Sequence, residues 1–159
     1  MSAVYKQAHS VLVVIHTPDL RALLIERADY SNGWQSVTGS REGEEALLQT
    51  AQREVFEETG LSAEQGIWHD WQQDNRYEIY PRWRHRYAPG TTHNTESVFS
   101  FCVPAPLPVV LAPNEHVAAI WLPWSQAAEK VFSPSNADAL RSLPQRFADL
   151  TSNANARHS

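Results

Sequence analysis

The chain has 159 residues, 42% of them hydrophobic, and a net charge of −5; this is the size of one domain with one core, and it excludes a disordered polyelectrolyte. An acidic chain is a poor general binder of duplex nucleic acid or of a membrane surface, and no apolar run approaches the roughly 20 residues that a spanning helix needs. Residues 1–10 lack a basic start followed by an apolar stretch, and Cys102 is the only cysteine, so the expectation is a protein without a secretory signal in a reducing cytoplasm.

In chain order, residues 9–16 (HSVLVVIH) form a β-branched run that predicts a buried strand. Thr17-Pro18-Asp19 predicts a turn, and residues 21–26 (RALLIE) predict a second strand in a hairpin with the first. A short extended piece at 34–37 ends at Thr38-Gly39. Residues 44–59 are rich in strong helix formers, and Gly60 stops that helix. Two separate strands are expected at 67–71 and 76–80, and two more at 97–103 (SVFSFCV) and 117–122. Pro104, Pro106 and Pro108 mark a loop or an edge between the last two. Residues 125–131 and 136–147 predict helices, the second broken or bent near Pro144. Strands on both sides of a mid-chain helix, with helices at the end, predict an α/β domain with a mixed sheet between helices. It occupies residues 1–150, followed by a disordered tail at 151–159.

Two segments carry chemistry. Arg76, Arg82, Arg84 and Arg86 lie close together in an otherwise acidic chain, which suits a small polyanion or, equally, a solvated loop. Read as extended, the segment would point Arg82, Arg84 and Arg86 to one side. Arg27, at the end of the second strand, is a weaker anion-binding candidate. The second segment is the helix at 44–59. Glu54, Glu57 and Glu58 stand at i, i+3 and i+4 on one face. Like charges at that spacing repel, and they sit toward the helix C-terminus, where the dipole disfavours anions. A hard divalent cation resolves both conflicts, and carboxylate oxygens suit Mg²⁺, Mn²⁺ or Ca²⁺. Arg53 and Glu57 are also i, i+4, so an ion pair along the helix is available.

The wider pattern is Gly39, five residues, Glu45, seven residues, Arg53-Glu54-Val55, one residue, Glu57-Glu58, one residue, Gly60-Leu61. It resembles the Nudix box at every specified position. The resemblance implies the Nudix α–β–α sandwich, with a mixed β-sheet and the catalytic loop–helix, and hydrolysis of a phosphoanhydride. It also implies Glu54, Glu57 and Glu58 as metal ligands, one of them serving as base, and Arg53 as the arginine that positions them. Glu45 corresponds to a structural anchor, and Gly39 and Gly60 to shaping positions at the two ends of the motif. The cofactor implied is Mg²⁺, with Mn²⁺ as an alternative.

Outside the box, Trp34 to Gly39, the stretch His85-Arg86-Tyr87-Ala88-Pro89-Gly90, Asn94-Thr95-Glu96-Ser97 and Glu115-His116 resemble one bacterial group within this family. That likeness implies a pyrophosphohydrolase of folate biosynthesis, converting dihydroneopterin triphosphate to the monophosphate and pyrophosphate. A purine triphosphate such as dATP, or an oxidised nucleotide, is the alternative, and a non-catalytic ligand-sensing module is a second. Glu115 matches a late glutamate joining the metal site, with Glu96 as its rival. The expected substrate contacts are Trp34, Arg27, Arg82, Arg84, Arg86 and Tyr87, with Trp121 divided between core and stacking and Gln35 or Asn94 available to the ring edge. The partner is a small-molecule triphosphate.

Overall fold

The computed structural model describes residues 4–157. Its strands are β1 (His9–His16), β2 (Arg21–Arg27), β3 (Trp34–Gln35), β4 (Val37–Ser40), β5 (Ile67–Glu78), β6 (His93–Cys102) and β7 (His116–Pro123). Its helices are α1 (Leu47–Thr59), α2 (Trp124–Lys130) and α3 (Pro134–Arg157). The seven strands form one mixed sheet in the order β3-β2-β1-β6-β5, with β4 on β1 and β7 on β2. The pair β1–β6 is parallel, from His9↔Thr95 to His16↔Cys102, and the other pairings are antiparallel.

β1 explains the arrangement. Its side chains alternate between two cores: Val11, Val13 and Ile15 join Ala51 and Val55 of α1, while Leu12 and Val14 join Ala127, Ala139, Leu140 and Leu143 of α2 and α3. A strand covered on both faces needs apolar residues at successive positions, hence the unbroken LVVI run. The result is the expected α–β–α sandwich. Opposite β6, the other edge of β1 is shared by β4 over Ser10–Val13 and by β2 at His16. This splay lets the loop after β4 lead into α1.

Several expectations are corrected. The two strands expected at 67–71 and 76–80 are one strand, β5, with an irregularity between Asp70 and Asp74 where Gln72 takes φ 53°. A bulge of this kind offsets the alternation of side chains without ending the strand, so the pattern looks like two pieces. α3 is not broken at Pro144: the proline forfeits one backbone hydrogen bond, and Leu140 and Leu143, fully buried in the turn just before it, hold the helix to the sheet. α3 is helical as far as Arg157, across most of the stretch expected as a tail. The arginine segment is not extended. Pro81–Arg86 is a 3-10 helix with proline at its start and backbone bonds Trp83 N–Tyr80 O (2.9 Å) and Tyr87 N–Arg84 O (3.1 Å), so alternate residues no longer share a side.

Candidate active site

α1 enters from a loop and ends on Gly60, whose φ of 76° closes the helix in the left-handed region. Arg53, in the middle of the helix, ties loop and helix together. Its Nε and Nη2 donate to the two oxygens of Glu45 at 2.8 and 3.0 Å, and Nη2 also donates to the Ser40 carbonyl at 3.0 Å. Nη1 donates to Glu54 Oε1 at 2.8 Å and to Glu57 Oε2 at 3.3 Å. Glu45 in turn accepts from the Glu42 backbone and from Thr50 Oγ1. The hydrogen bonds from Arg53 hold the Glu45 carboxyl down to about 2, so Glu45 remains ionised and the bidentate anchor is permanent. Gly39 is required for a different reason: a Cβ there would collide with the Glu54 carboxylate.

The carboxylate face has the electrostatics of an unmet charge. Glu58 is 6% exposed, and its Oε2 is buried without a hydrogen-bond partner. Burial pushes its carboxyl well above the usual range, reinforced by the neighbouring charges of Glu54 and Glu115. Burial likewise raises Glu54 to about 7, against the pull of Arg53. Glu57 is half-exposed and held by Arg53 alone among the described residues. Glu115, on the turn before β7, reaches the same place: one ligand atom each from Glu58, Glu115 and His116 lie within 4.8 Å of one another. Burial and the Arg27 charge lower His116 to about 4, so its imidazole is neutral at neutral pH. An orphaned carboxylate oxygen among further carboxylates fits a divalent cation, whose charge would reverse the penalty that burial imposes. Glu58, Glu115 and His116 offer ligand atoms close enough for one ion, and Glu54 and Glu57 line the same basin.

Two concavities meet beside this face. The polar one, about 990 Å³, is lined by Glu54, Glu57, Glu58, Glu115 and the 39–43 loop. The other, about 300 Å³, is lined by Tyr77, Tyr80, Trp83, Tyr87, Phe132 and a polar floor that includes Glu96 and Gln35. Lys6, Arg27, Arg86, Thr38 and Gly39 line both. The boundary between them is therefore cationic. Arg27 is fixed by two bonds to Asp29 (2.7 and 2.8 Å), stacks at 4.5 Å on Trp83 and leans on Gln35 Oε1 at 3.4 Å. Arg86 reaches Asp29 from the other side at 3.3 Å. Burial, then the Arg86 charge, lowers the ammonium pKa of Lys6; an anion placed here would oppose both effects and favour its charged form beside Arg27 and Arg86.

The expected substrate residues divide accordingly. Arg27, Arg86 and Tyr87 lie at this junction. Arg82 instead stacks on Tyr30, Trp83 and Tyr80, with its guanidinium 4.2, 4.8 and 5.6 Å from the rings. Arg84 is turned back to Glu78 and to the Ile79 carbonyl. Both follow from the 3-10 winding. Trp34 packs against the core beneath α2, under Lys130 Nζ at 4.9 Å, and Trp121 packs against the core on the α1 side. Glu96 is in the aromatic cavity and not with the carboxylates of α1. Asn94 donates from Nδ2 to Ser10 and Tyr77, while its Oδ1 is buried without a partner among the described residues. Sequence reasoning missed the ring wall formed by Tyr77, Tyr80, Trp83 and Phe132, and the cation Lys6. The aromatics interleaved with the 76–86 arginines were the available signal for the wall.

Comparison with known proteins bears on this geometry. Residues 6–143 match the NUDIX domain. The dihydroneopterin triphosphate diphosphatase of Escherichia coli K12 is 44% identical over 140 residues, which is 86% of this chain and 92% of that protein. The enzyme of the same name from Haemophilus influenzae is 38% identical over 86% of this chain and 87% of its own length. The solved structure of the E. coli dihydroneopterin triphosphate pyrophosphohydrolase superposes with a TM-score of 0.82 at 43% identity, covering 88% of this chain and 97% of that one.

Proposed function

This chain belongs to the Nudix family of hydrolases, and we propose that it converts dihydroneopterin triphosphate to dihydroneopterin monophosphate and pyrophosphate, using Mg²⁺, with Mn²⁺ able to replace it. The observation that carries the reading is the pair of joined concavities: an aromatic slot sized for one fused ring, separated by Lys6, Arg27 and Arg86 from a carboxylate-lined basin. The names of the relatives supply the particular substrate.

The division of labour follows from the residues. Tyr87, Tyr80 and Trp83 offer flat faces to the heterocycle. Lys6, Arg27 and Arg86 hold the phosphate chain at the neck, Arg27 prealigned by Asp29 and by Trp83. Glu54, Glu57, Glu58 and Glu115 hold the cation, and Arg53 fixes two of them while its own position is set by Glu45. A bound divalent cation would neutralise charge on the phosphoryl oxygens and acidify a water molecule. The lone cysteine suits a cytoplasmic setting, and among the described residues no helix is long and apolar enough to cross a membrane.

Purine triphosphates remain the second reading, because a purine is also a fused ring that would enter the slot. A substrate panel tests both. With Mg²⁺, dihydroneopterin triphosphate should exceed dATP in kcat/KM by about tenfold or more; the reverse order would replace the pterin reading with the nucleotide one. Absence of any cation-dependent pyrophosphate release across the panel would return the chain to the ligand-sensing reading.

A further inference from the structure

Gln35, Arg27 and His116 sit on three neighbouring strands, β3, β2 and β7. Gln35 lines the aromatic cavity, His116 lines the carboxylate basin, and Arg27 lines both. The strand register brings them together: Gln35 lies opposite Ile25, and Arg27 lies opposite His116 just past a register shift at Glu26. Arg27 Nη1 donates to Gln35 Oε1 at 3.4 Å, and Gln35 Nε2 lies 3.4 Å from His116 Nε2. Guanidinium nitrogens only donate, so the amide oxygen is the end of Gln35 that faces Arg27. The amide nitrogen therefore faces His116, and it too only donates. His116 Nε2 is left to accept through its lone pair. A ring that accepts at one nitrogen is neutral and carries its proton on the other, here Nδ1.

Distance alone would admit His116 as a third ligand beside Glu58 and Glu115. The hydrogen bonds decide otherwise. A histidine that ligates a metal through one nitrogen donates from the other, to a carbonyl, a carboxylate or water. Gln35 turns an N–H₂ group to that second nitrogen, so the ring has a donor and not a lone pair to offer the basin. Nδ1 is buried with no partner among the described residues. Glu58 Oε2 is in the same condition, and one ligand atom of Glu58 lies within 4.8 Å of one of His116. An orphaned donor and an orphaned acceptor, both shut off from water, thus share one patch without a bond between them. Each costs free energy until it is satisfied, and each is what the other lacks. Glu115, by contrast, is exposed and has water for its oxygens.

We propose that His116 is a positioning residue for Glu58: it carries its proton on Nδ1 and donates that N–H to the Glu58 carboxylate, holding one oxygen so that the other faces the cation. The proposal rests on the cation-dependent reading above and deepens it. Asp29, Arg27, Gln35, His116 and Glu58 then form one chain of hydrogen bonds, which ties the cationic neck to the basin. Gln35 sets the tautomer, and Arg27 sets Gln35.

The test has two arms, neither of which reads activity. The first is long-range proton–nitrogen correlation NMR of the native protein with ¹⁵N-labelled histidine, His116 being assigned through bonds to its backbone. Spectra are taken without a cation and with saturating Mg²⁺. Expected in both is the pattern of a neutral ring protonated at Nδ1, with the Nδ1 proton moving downfield when Mg²⁺ binds. A proton on Nε2 in either state would overturn the proposal, and with Mg²⁺ present it would make His116 a ligand. The second arm is the Mg²⁺ dissociation constant, by titration calorimetry, for the native protein and for His116→Asn, His116→Gln and His116→Ala, with thermal melts confirming that each folds. An asparagine amide reaches the place of Nδ1, and a glutamine amide reaches the place of Nε2. His116→Asn should therefore stay within about threefold of native, while His116→Gln and His116→Ala weaken Mg²⁺ by about tenfold or more. Equal weakening in all three would mark mere packing, and no weakening in His116→Ala would remove the role; either result overturns the proposal. The two readings fail separately. A native protein that binds no Mg²⁺ would sink the cation reading itself, whereas tight Mg²⁺ binding that ignores His116→Ala would sink only the part given to His116.

Discussion

Replacing Glu54 by glutamine should make the cation-free protein more stable at alkaline pH while removing its activity. Glu54 has a side-chain exposure of 14%, and burial raises its carboxyl from 4.5 to about 7. Between those values the folded protein binds a proton that the unfolded chain does not. The associated stability is fully present below about pH 4.5 and is lost as pH rises through about 7. A displacement of this size corresponds to about 3 kcal/mol. Glutamine keeps the shape of the protonated form and cannot ionise, so the variant should keep what the native protein loses. In a domain of this length that amounts to roughly 6–12 °C in Tm. The assay is thermal unfolding with a chelator at about pH 5 and about pH 8. Little difference is expected at the lower value and a more stable variant at the higher. Adding Mg²⁺ should raise the native Tm at about pH 8 and leave Glu54→Gln nearly unmoved, while kcat falls by roughly 10²- to 10⁴-fold. A variant less stable than the native protein at about pH 8 without metal would refute the claim that Glu54 is an electrostatic liability awaiting a cation.

The other outcomes follow from the same contacts. Glu45→Gln breaks the bidentate anchor of Arg53 and should cost about 2 kcal/mol in chemical denaturation, with activity falling less than in Glu54→Gln. Gly39→Ala places a methyl group where the Glu54 carboxylate sits, so kcat should fall by about a hundredfold while circular dichroism stays native. Glu115→Ala should raise the Mg²⁺ midpoint in an activity titration by about tenfold; an unchanged midpoint would remove it from the cation site. Trp34→Ala should lower Tm and leave KM nearly unchanged, because its ring packs beneath α2 and away from the junction.

What was legible in the sequence was what local patterns encode. The spacing inside the box put Arg53 within reach of Glu57, and the two are paired, because a helix converts spacing directly into a shared face. β1 was equally plain, since burial on both sides demands an uninterrupted apolar run. The arginine segment misled because alternation was read as a strand, whereas Pro81 and the Tyr80–Trp83 turn bond wind it into a 3-10 helix. The aromatic cavity was invisible for another reason. Its walls come from β5, the 3-10 turn and the stretch entering α3, and the bond from Ser135 to Glu96 spans 39 residues. No local period encodes a contact of that range, so in the sequence Glu96 is only a weaker rival to Glu115 for the late metal-site glutamate. Lys6 was similarly hidden: its place at the neck depends on pairing with Tyr87 far along the chain.

The most direct test of the account is phosphorus NMR of dihydroneopterin triphosphate incubated with the protein and Mg²⁺, beside the Glu58→Gln variant. The account predicts one equivalent each of pyrophosphate and dihydroneopterin monophosphate, formed only with the cation present and slowed by roughly 10²-fold or more in the variant. Release of orthophosphate, or an undiminished rate without Glu58, would contradict it.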